Sequence, residues 1–167
     1  MAGPPSSYRV ELLTENEWPR LQDIRLTALR DHPRAFLASH DREAGYDESQ
    51  WRQEFSRGEW NVMLAGDRQI GLLGVTREPD MPSQECFFEY LWVAPGFRRM
   101  GMGSRLLRTV LGRLRVSGVS TVWLYILDGN DGAMRLYQRF GFRSTNERKP
   151  LEDDPERSEE KLWLRLS

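Results

Sequence analysis

Residues 91–107 read LWVAPGFRRMGMGSRLL, an apolar strand-like run that turns through a glycine-rich bend and opens directly into a helix. The glycines of Arg98-x-x-Gly101-x-Gly103 let the backbone curl closely around an anion, because each lacks the Cβ that would block approach or forbid positive φ. A helix that begins near Ser104 offers N–H groups with no intrahelical partner at its positive end. A pyrophosphate would satisfy them.

Spacing narrows the choice of phosphate ligand. A Walker loop needs Lys and then Ser/Thr after its second glycine; Gly96 and Gly101 stand at the right interval, but Met102 and Gly103 follow. A dinucleotide fingerprint needs a third small residue three positions after the second glycine. Leu106 occupies that place, and the element before the turn is not the first strand of the chain.

A second segment lies downstream, Asn130-Asp131-Gly132-Ala133-Met134-Arg135-Leu136-Tyr137-Gln138-Arg139-Phe140-Gly141-Phe142. The two segments in this order resemble the GNAT superfamily of N-acetyltransferases. The first matches that family's acyl-coenzyme A turn, Gln/Arg-x-x-Gly-x-Gly/Ala after an apolar-x-Pro step, here Val93-Ala94-Pro95. The second matches its Asn-x-x-Ala-x-x-x-Tyr-x-x-x-Gly-Phe element. The specific residues are confined to about positions 85–142, although the likeness runs loosely over nearly the whole chain.

The resemblance implies acetyl-coenzyme A as the acyl donor, with its diphosphate wrapped by the backbone of Arg98, Arg99, Met100, Gly101, Met102, Gly103 and Ser104. It implies that Leu91, Trp92 and Val93 offer main-chain groups to the pantetheine arm, opposite residues 121–127, and that Asn130 adds a hydrogen bond to that arm. A main-chain N–H near Val93 would meet the charge that develops on the carbonyl. Tyr137 would stand beside the thioester sulfur. A phenol near pKa 10 is a weaker acid than a thiol near 8.5, by about 2 kcal/mol, so a hydrogen bond that strengthens as sulfur gains charge is easier than full proton transfer.

Some relatives use an acid on the strand before the turn as general base, and Glu89 is the candidate here. The acid of the protein-acetylating members often sits two residues earlier, where this chain has Phe87. An alkylamine with pKa about 10.4 costs roughly 4 to 5 kcal/mol to deprotonate at pH 7, and an α-amine near 8 about 1.4. The first kind of acceptor needs a base. Strand alternation from 85 to 93 places Glu85, Phe87, Glu89, Leu91 and Val93 on one side and Cys86, Phe88, Tyr90 and Trp92 on the other.

The 167 residues suit one domain that buries about two thirds of its unfolded surface. Residues 1–7 read as a flexible leader and residues 8–167 as a single α/β domain, a mixed, largely antiparallel central sheet flanked by helices. Strands are expected over 8–13, 60–65, 70–77, 85–93, 121–127, from 142 onward and over 161–166, the second and third joined as a hairpin. Helices are expected over 15–29, behind a Thr14-x-x-Glu17 capping box, and over 47–55, 104–117 and 131–140, the last capped by Asn130. Residues 146–160, with seven acidic and three basic side chains, read as a mobile loop.

A net charge of −1, from 24 basic and 25 acidic residues, argues against nucleic acid or an anionic membrane as partner. The one cysteine, Cys86, fits packing in a reducing cytosol, and neither an export signal nor an apolar span is evident. His32 and His40 read as surface residues, and no metal is invoked. The function expected is direct transfer of an acetyl group from acetyl-coenzyme A to a primary amine of a small molecule or peptide, in a ternary complex and a cytoplasmic setting. A non-catalytic acyl-coenzyme A sensor is the alternative, and a homodimer is left open.

Overall fold

The computed structural model describes residues 7–167. The expected leader, apart from Ser7, lies outside the described residues. Twelve regular elements follow in the order β1 (Tyr8–Leu12), α1 (Trp18–Asp31), α2 (His40–Ala44), α3 (Glu48–Ser56), β2 (Gly58–Ala65), β3 (Arg68–Thr76), β4 (Glu85–Val93), α4 (Met102–Val116), β5 (Thr121–Leu127), α5 (Asp131–Arg139), β6 (Arg143–Pro150) and β7 (Ser158–Arg165). The strands form one seven-stranded sheet in the order β1-β2-β3-β4-β5-β7-β6. Among the described residues only β4 and β5 run parallel. The mixed, largely antiparallel sheet flanked by helices is the architecture expected.

Amphipathic periodicity explains the helices. On α4, Met102, Leu106, Leu107, Val110, Leu111 and Leu114 are buried, a stripe repeating every three or four residues. On α1 the buried residues are Leu21, Ile24, Arg25, Ala28 and Leu29, so an arginine sits within the apolar stripe. β2 and β3 are buried along most of their length and join through the two-residue turn Gly66-Asp67, with Gly66 at φ +60°. That turn is tighter than the four-residue connection expected. No helix of the described residues is long and apolar enough to cross a membrane.

Four expectations are corrected. α4 starts at Met102 rather than Ser104, because Gly101, at φ +78°, takes the cap position. α1 proper starts at Trp18; residues 15–17 form a 3-10 turn whose Thr14 N–H donates to Glu17 Oε1 at 3.0 Å. α2 is an additional short helix, with the Ser39 hydroxyl accepting from the Arg42 N–H. Residues 146–160 are not a loop throughout: β6 extends to Pro150 and β7 begins at Ser158, leaving 151–157 as the connection. Cross-strand pairs hold the charged strands, Lys149 with Glu159 at 3.2 Å and Arg148 with Glu160 at 3.4 Å.

β4 pairs with β5 only over Glu85–Phe87, against Thr121–Trp123. Beyond Phe87 the two strands part, and two half-sheets diverge from that short seam. On its other side β4 carries a bulge. Trp92 pairs with Leu72 and Glu89 with Gly74, so Tyr90 and Leu91 together oppose the single residue Leu73.

Candidate active site

The bend after β4 has the geometry of an anion cradle. Arg99 and Gly101 both have positive φ, +61° and +78°. The first helical bond of α4 runs from the Arg105 N–H to the Gly101 carbonyl at 3.0 Å. Among the described residues, no N–H from Arg99 to Ser104 meets an acceptor in hydrogen-bonding geometry. Six consecutive donors at a helix N-terminus are therefore free for a diphosphate, which is the test a coenzyme A turn must pass.

The two glycines serve different ends. Gly101 has open space around its Cα but needs a left-handed backbone. Gly103 has an ordinary backbone, yet a Cβ there would stand 3.0 Å from Leu136 Cδ2. Its smallness lets α5 close against the first turn of α4, and so brings the helix that carries Tyr137 to the cradle. Met100 is exposed at the tip of the bend.

Arg98 does not simply face the cradle. Its Nε donates to the Val93 carbonyl at 2.8 Å and its Nη2 pairs with Asp31 at the end of α1. Asp31 also accepts from the Trp92 indole at 2.9 Å. Burial opposes ionisation of Asp31, but the hydrogen bonds from Trp92 and Arg98 outweigh it and hold the carboxyl below its ordinary value. Arg98, Trp92 and Asp31 thus tie the bend to α1.

Tyr137 is buried, its ring edge-on to Phe142 at 5.3 Å, and Phe142 lies 6.2 Å from Phe88 of β4. Burial raises the hydroxyl above its ordinary value, so it stays protonated through the neutral range. Among the described residues it has no hydrogen-bond partner in the fold. Asn130 occupies the cap position of α5 and its carbonyl accepts from the Met134 N–H at 3.0 Å, but its side chain makes no cap bond. The side-chain cap expected of Asn130 is therefore not formed, and the amide is free for another partner.

A cavity of about 820 Å3 opens where β4 and β5 part. Its walls include Phe36, Phe87, Phe88, Glu89, Tyr90 and Tyr125, and the 151–157 connection adds Glu152, Asp153 and Asp154. Phe36 stacks on Tyr90 at 5.8 Å and Phe87 on Tyr125 at 5.9 Å. Glu89 is half-buried on this wall and makes no ion pair among the described residues. The bulge breaks the alternation expected along β4: by pairing, Trp92 joins the side of Phe87 and Glu89, and Val93 that of Phe88. Leu91 stands inside the bulge, half-buried.

The sequence reading missed Arg25 and Tyr90. Tyr90 adopts φ +59°, a left-handed conformation that a bulky residue rarely takes and that costs roughly 1–3 kcal/mol. Arg25, 1% exposed, donates to its hydroxyl at 2.8 Å. The position of Arg25 inside the apolar stripe of α1 was the one available signal.

The profile of the acetyltransferase (GNAT) family matches residues 18–142, and the chain belongs to that family. It is 29% identical over 89 residues to the [ribosomal protein bS18]-alanine N-acetyltransferase of Salmonella typhimurium, covering 53% of this chain and 58% of the relative. It is likewise 29% identical over 87 residues to the N-acetyltransferase YdgE of Bacillus subtilis, covering 52% and 55%. The matched stretch thus spans just over half the length of these curated relatives. Among solved structures, the ribosomal-protein-S18-alanine N-acetyltransferase of Escherichia coli superposes with TM-score 0.71 at 19% identity, over 96% of this chain and 95% of that one. A GNAT-family acetyltransferase from Streptococcus pneumoniae reaches TM-score 0.79 at 12% identity, over 96% and 100%. Likenesses at these identities speak for the fold.

Proposed function

We propose that this protein moves the acetyl group of acetyl-coenzyme A directly to a primary amine of a small molecule or peptide, both substrates being bound together. The observation that carries the reading is the run of free N–H groups from Arg99 to Ser104, placed at the end of a strand that has parted from its neighbour. Those donors hold the diphosphate, and the parted edge at Leu91, Trp92 and Val93 accepts the pantetheine arm, with Asn130 at its flank. The acetyl thioester supplies the electrophilic carbon. Glu89 takes the proton of the incoming amine, directly or through a water, and the Tyr137 hydroxyl donates a hydrogen bond to the sulfur as charge collects there. Arg98 shapes the bend through Asp31 and the Val93 carbonyl, and Arg99 is the cation left to meet the phosphates.

The acceptor enters by the aromatic-walled cavity. Relatives named as alanine N-acetyltransferases of a ribosomal protein make α-amino peptides one class to test, beside diamines, amino acids and aminoglycosides. The decisive experiment follows free thiol release from acetyl-coenzyme A across that amine panel, with calorimetry of coenzyme A alongside. Amine-dependent thiol release is the expected result. Tight coenzyme A binding without release for any amine would favour the non-catalytic sensor, and absence of binding would remove the reading altogether.

A further inference from the structure

We propose that Arg25 and Tyr90 form a clamp that positions the β4 bulge, and through it Glu89 and the main chain of Leu91, for the reaction; this rests on the acetyl-transfer reading. Tyr90 is one of two residues set against Leu73, and its φ of +59° is not a conformation that an aromatic side chain adopts unaided. The guanidinium of Arg25 lies 4.3 Å over its ring and donates to its hydroxyl at 2.8 Å. Phe36 stacks on the same ring at 5.8 Å, and Trp60 packs edge-on with it, also at 5.8 Å.

The guanidinium is itself fixed from three helices. It belongs to α1, pairs with Glu43 of α2 at 2.6 Å and with Glu54 of α3 at 3.2 Å, and lies 5.4 Å from each of the Trp51 and Trp60 rings. The contact with Glu43 is a close ion pair not aligned as a hydrogen bond, and Arg25 Nε, Glu43 Oε1 and Trp51 Nε1 lack hydrogen-bond partners among the described residues. A buried charge network of this kind is weak evidence for stability, since apolar residues of similar volume would serve as well or better. What it supplies is geometry. Three helices, α1, α2 and α3, converge on one cation, and that cation holds the left-handed residue between Glu89 and Leu91.

Three variants separate positioning from packing. Tyr90→Phe keeps the ring and loses the Arg25 bond; Tyr90→Val removes the anchor and disfavours positive φ; Tyr90→Gly removes more of the side chain yet tolerates φ +59°. With whichever amine supports thiol release, kcat should fall at least tenfold in Tyr90→Val, and KM for acetyl-coenzyme A should rise by less than kcat falls, because the main chain of Leu91 shifts while the donors from Arg99 to Ser104 do not. Tyr90→Phe should fall less, and Tyr90→Gly should retain more activity than Tyr90→Val. A glycine variant that falls as far as the valine one overturns the clamp, because lost packing alone then accounts for both. Crystal structures decide without activity: residue 90 should leave positive φ in Tyr90→Val, with Glu89 displaced, and keep it in Tyr90→Gly. A bulge unchanged in the valine variant likewise overturns the proposal. Should the unaltered protein release no thiol, the acetyl-transfer reading fails by itself and the crystallographic comparison still judges the clamp.

Discussion

A phenol is a weaker acid than a thiol, and burial widens the gap at Tyr137, whose hydroxyl is raised further above its ordinary value. The group therefore serves as a standing hydrogen-bond donor and contributes no ionisation below about pH 10. Replacing it by phenylalanine preserves the packing on Phe142 and deletes only that donor. Tyr137→Phe should lower kcat by on the order of 10- to 100-fold, with coenzyme A affinity in calorimetry within about twofold of the parent. Glu89 makes the opposite case: an acidic side chain on a cavity wall with no cation paired to it among the described residues. Glu89→Gln keeps the shape and removes the proton acceptor, so kcat/KM for an alkylamine should fall by roughly 10^2- to 10^4-fold. A pH–rate profile superposable on the parent's would remove Glu89 from the mechanism.

The cradle depends on how two helices meet. A Cβ at Gly103 would stand 3.0 Å from Leu136 Cδ2, so Gly103→Ala should displace the Leu136 side chain at the bend and weaken coenzyme A binding by up to about tenfold, an order of size drawn from overpacking costs. Shortening the neighbour should relieve it: Gly103→Ala combined with Leu136→Ala should bind coenzyme A more tightly than Gly103→Ala alone, a coupling that a double-mutant cycle by calorimetry would expose. At Gly101 the same cycle should show no coupling, because the obstacle there is the left-handed backbone. This element was legible in the sequence because glycine spacing and the apolar stripe Leu106, Leu107, Val110, Leu111 and Leu114 both mark it; only its start was misplaced, Ser104 resembling a cap that a left-handed glycine in fact supplies. β6 was expected from residue 142 onward, but its run past Asn146 was obscured for a physical reason. It is an edge strand exposed along nearly its whole length, so no apolar alternation betrays it and its charges read as loop. α2 is too short for a period to show. The bulge leaves no trace at all, since nothing in Tyr90-Leu91 demands it without Arg25 from another helix.

At the scale of the whole molecule, the sheet consists of two halves, β1-β2-β3-β4 and β5-β7-β6, joined among the described residues by the three pairs at Glu85–Phe87. That short seam is what allows the strands to part, and it is also where the two halves must hold. Cys86 stands at its middle, fully buried and paired with Val122. Burial pushes its thiol from the ordinary 9.0 up to about 11, a shift that nearby Glu59 reinforces and Arg77 opposes. The unfolded chain releases this proton first, so stability is intact below pH 9 and is lost as pH rises toward 11, by at most roughly 3 kcal/mol. Tyr90 and Tyr137, raised in the same direction, add to the loss above pH 10. Thermal midpoints should therefore stay level from pH 7 to 9 and then drop by roughly 6–12 °C by pH 11 for the Cys86 contribution alone. Cys86→Ala should melt lower at pH 7, by the loss of buried contacts, yet show a shallower decline between pH 9 and 11, because the seam no longer contains a thiol to ionise. Parallel declines in the two proteins would place the alkaline weakness in the buried tyrosines and not at the seam.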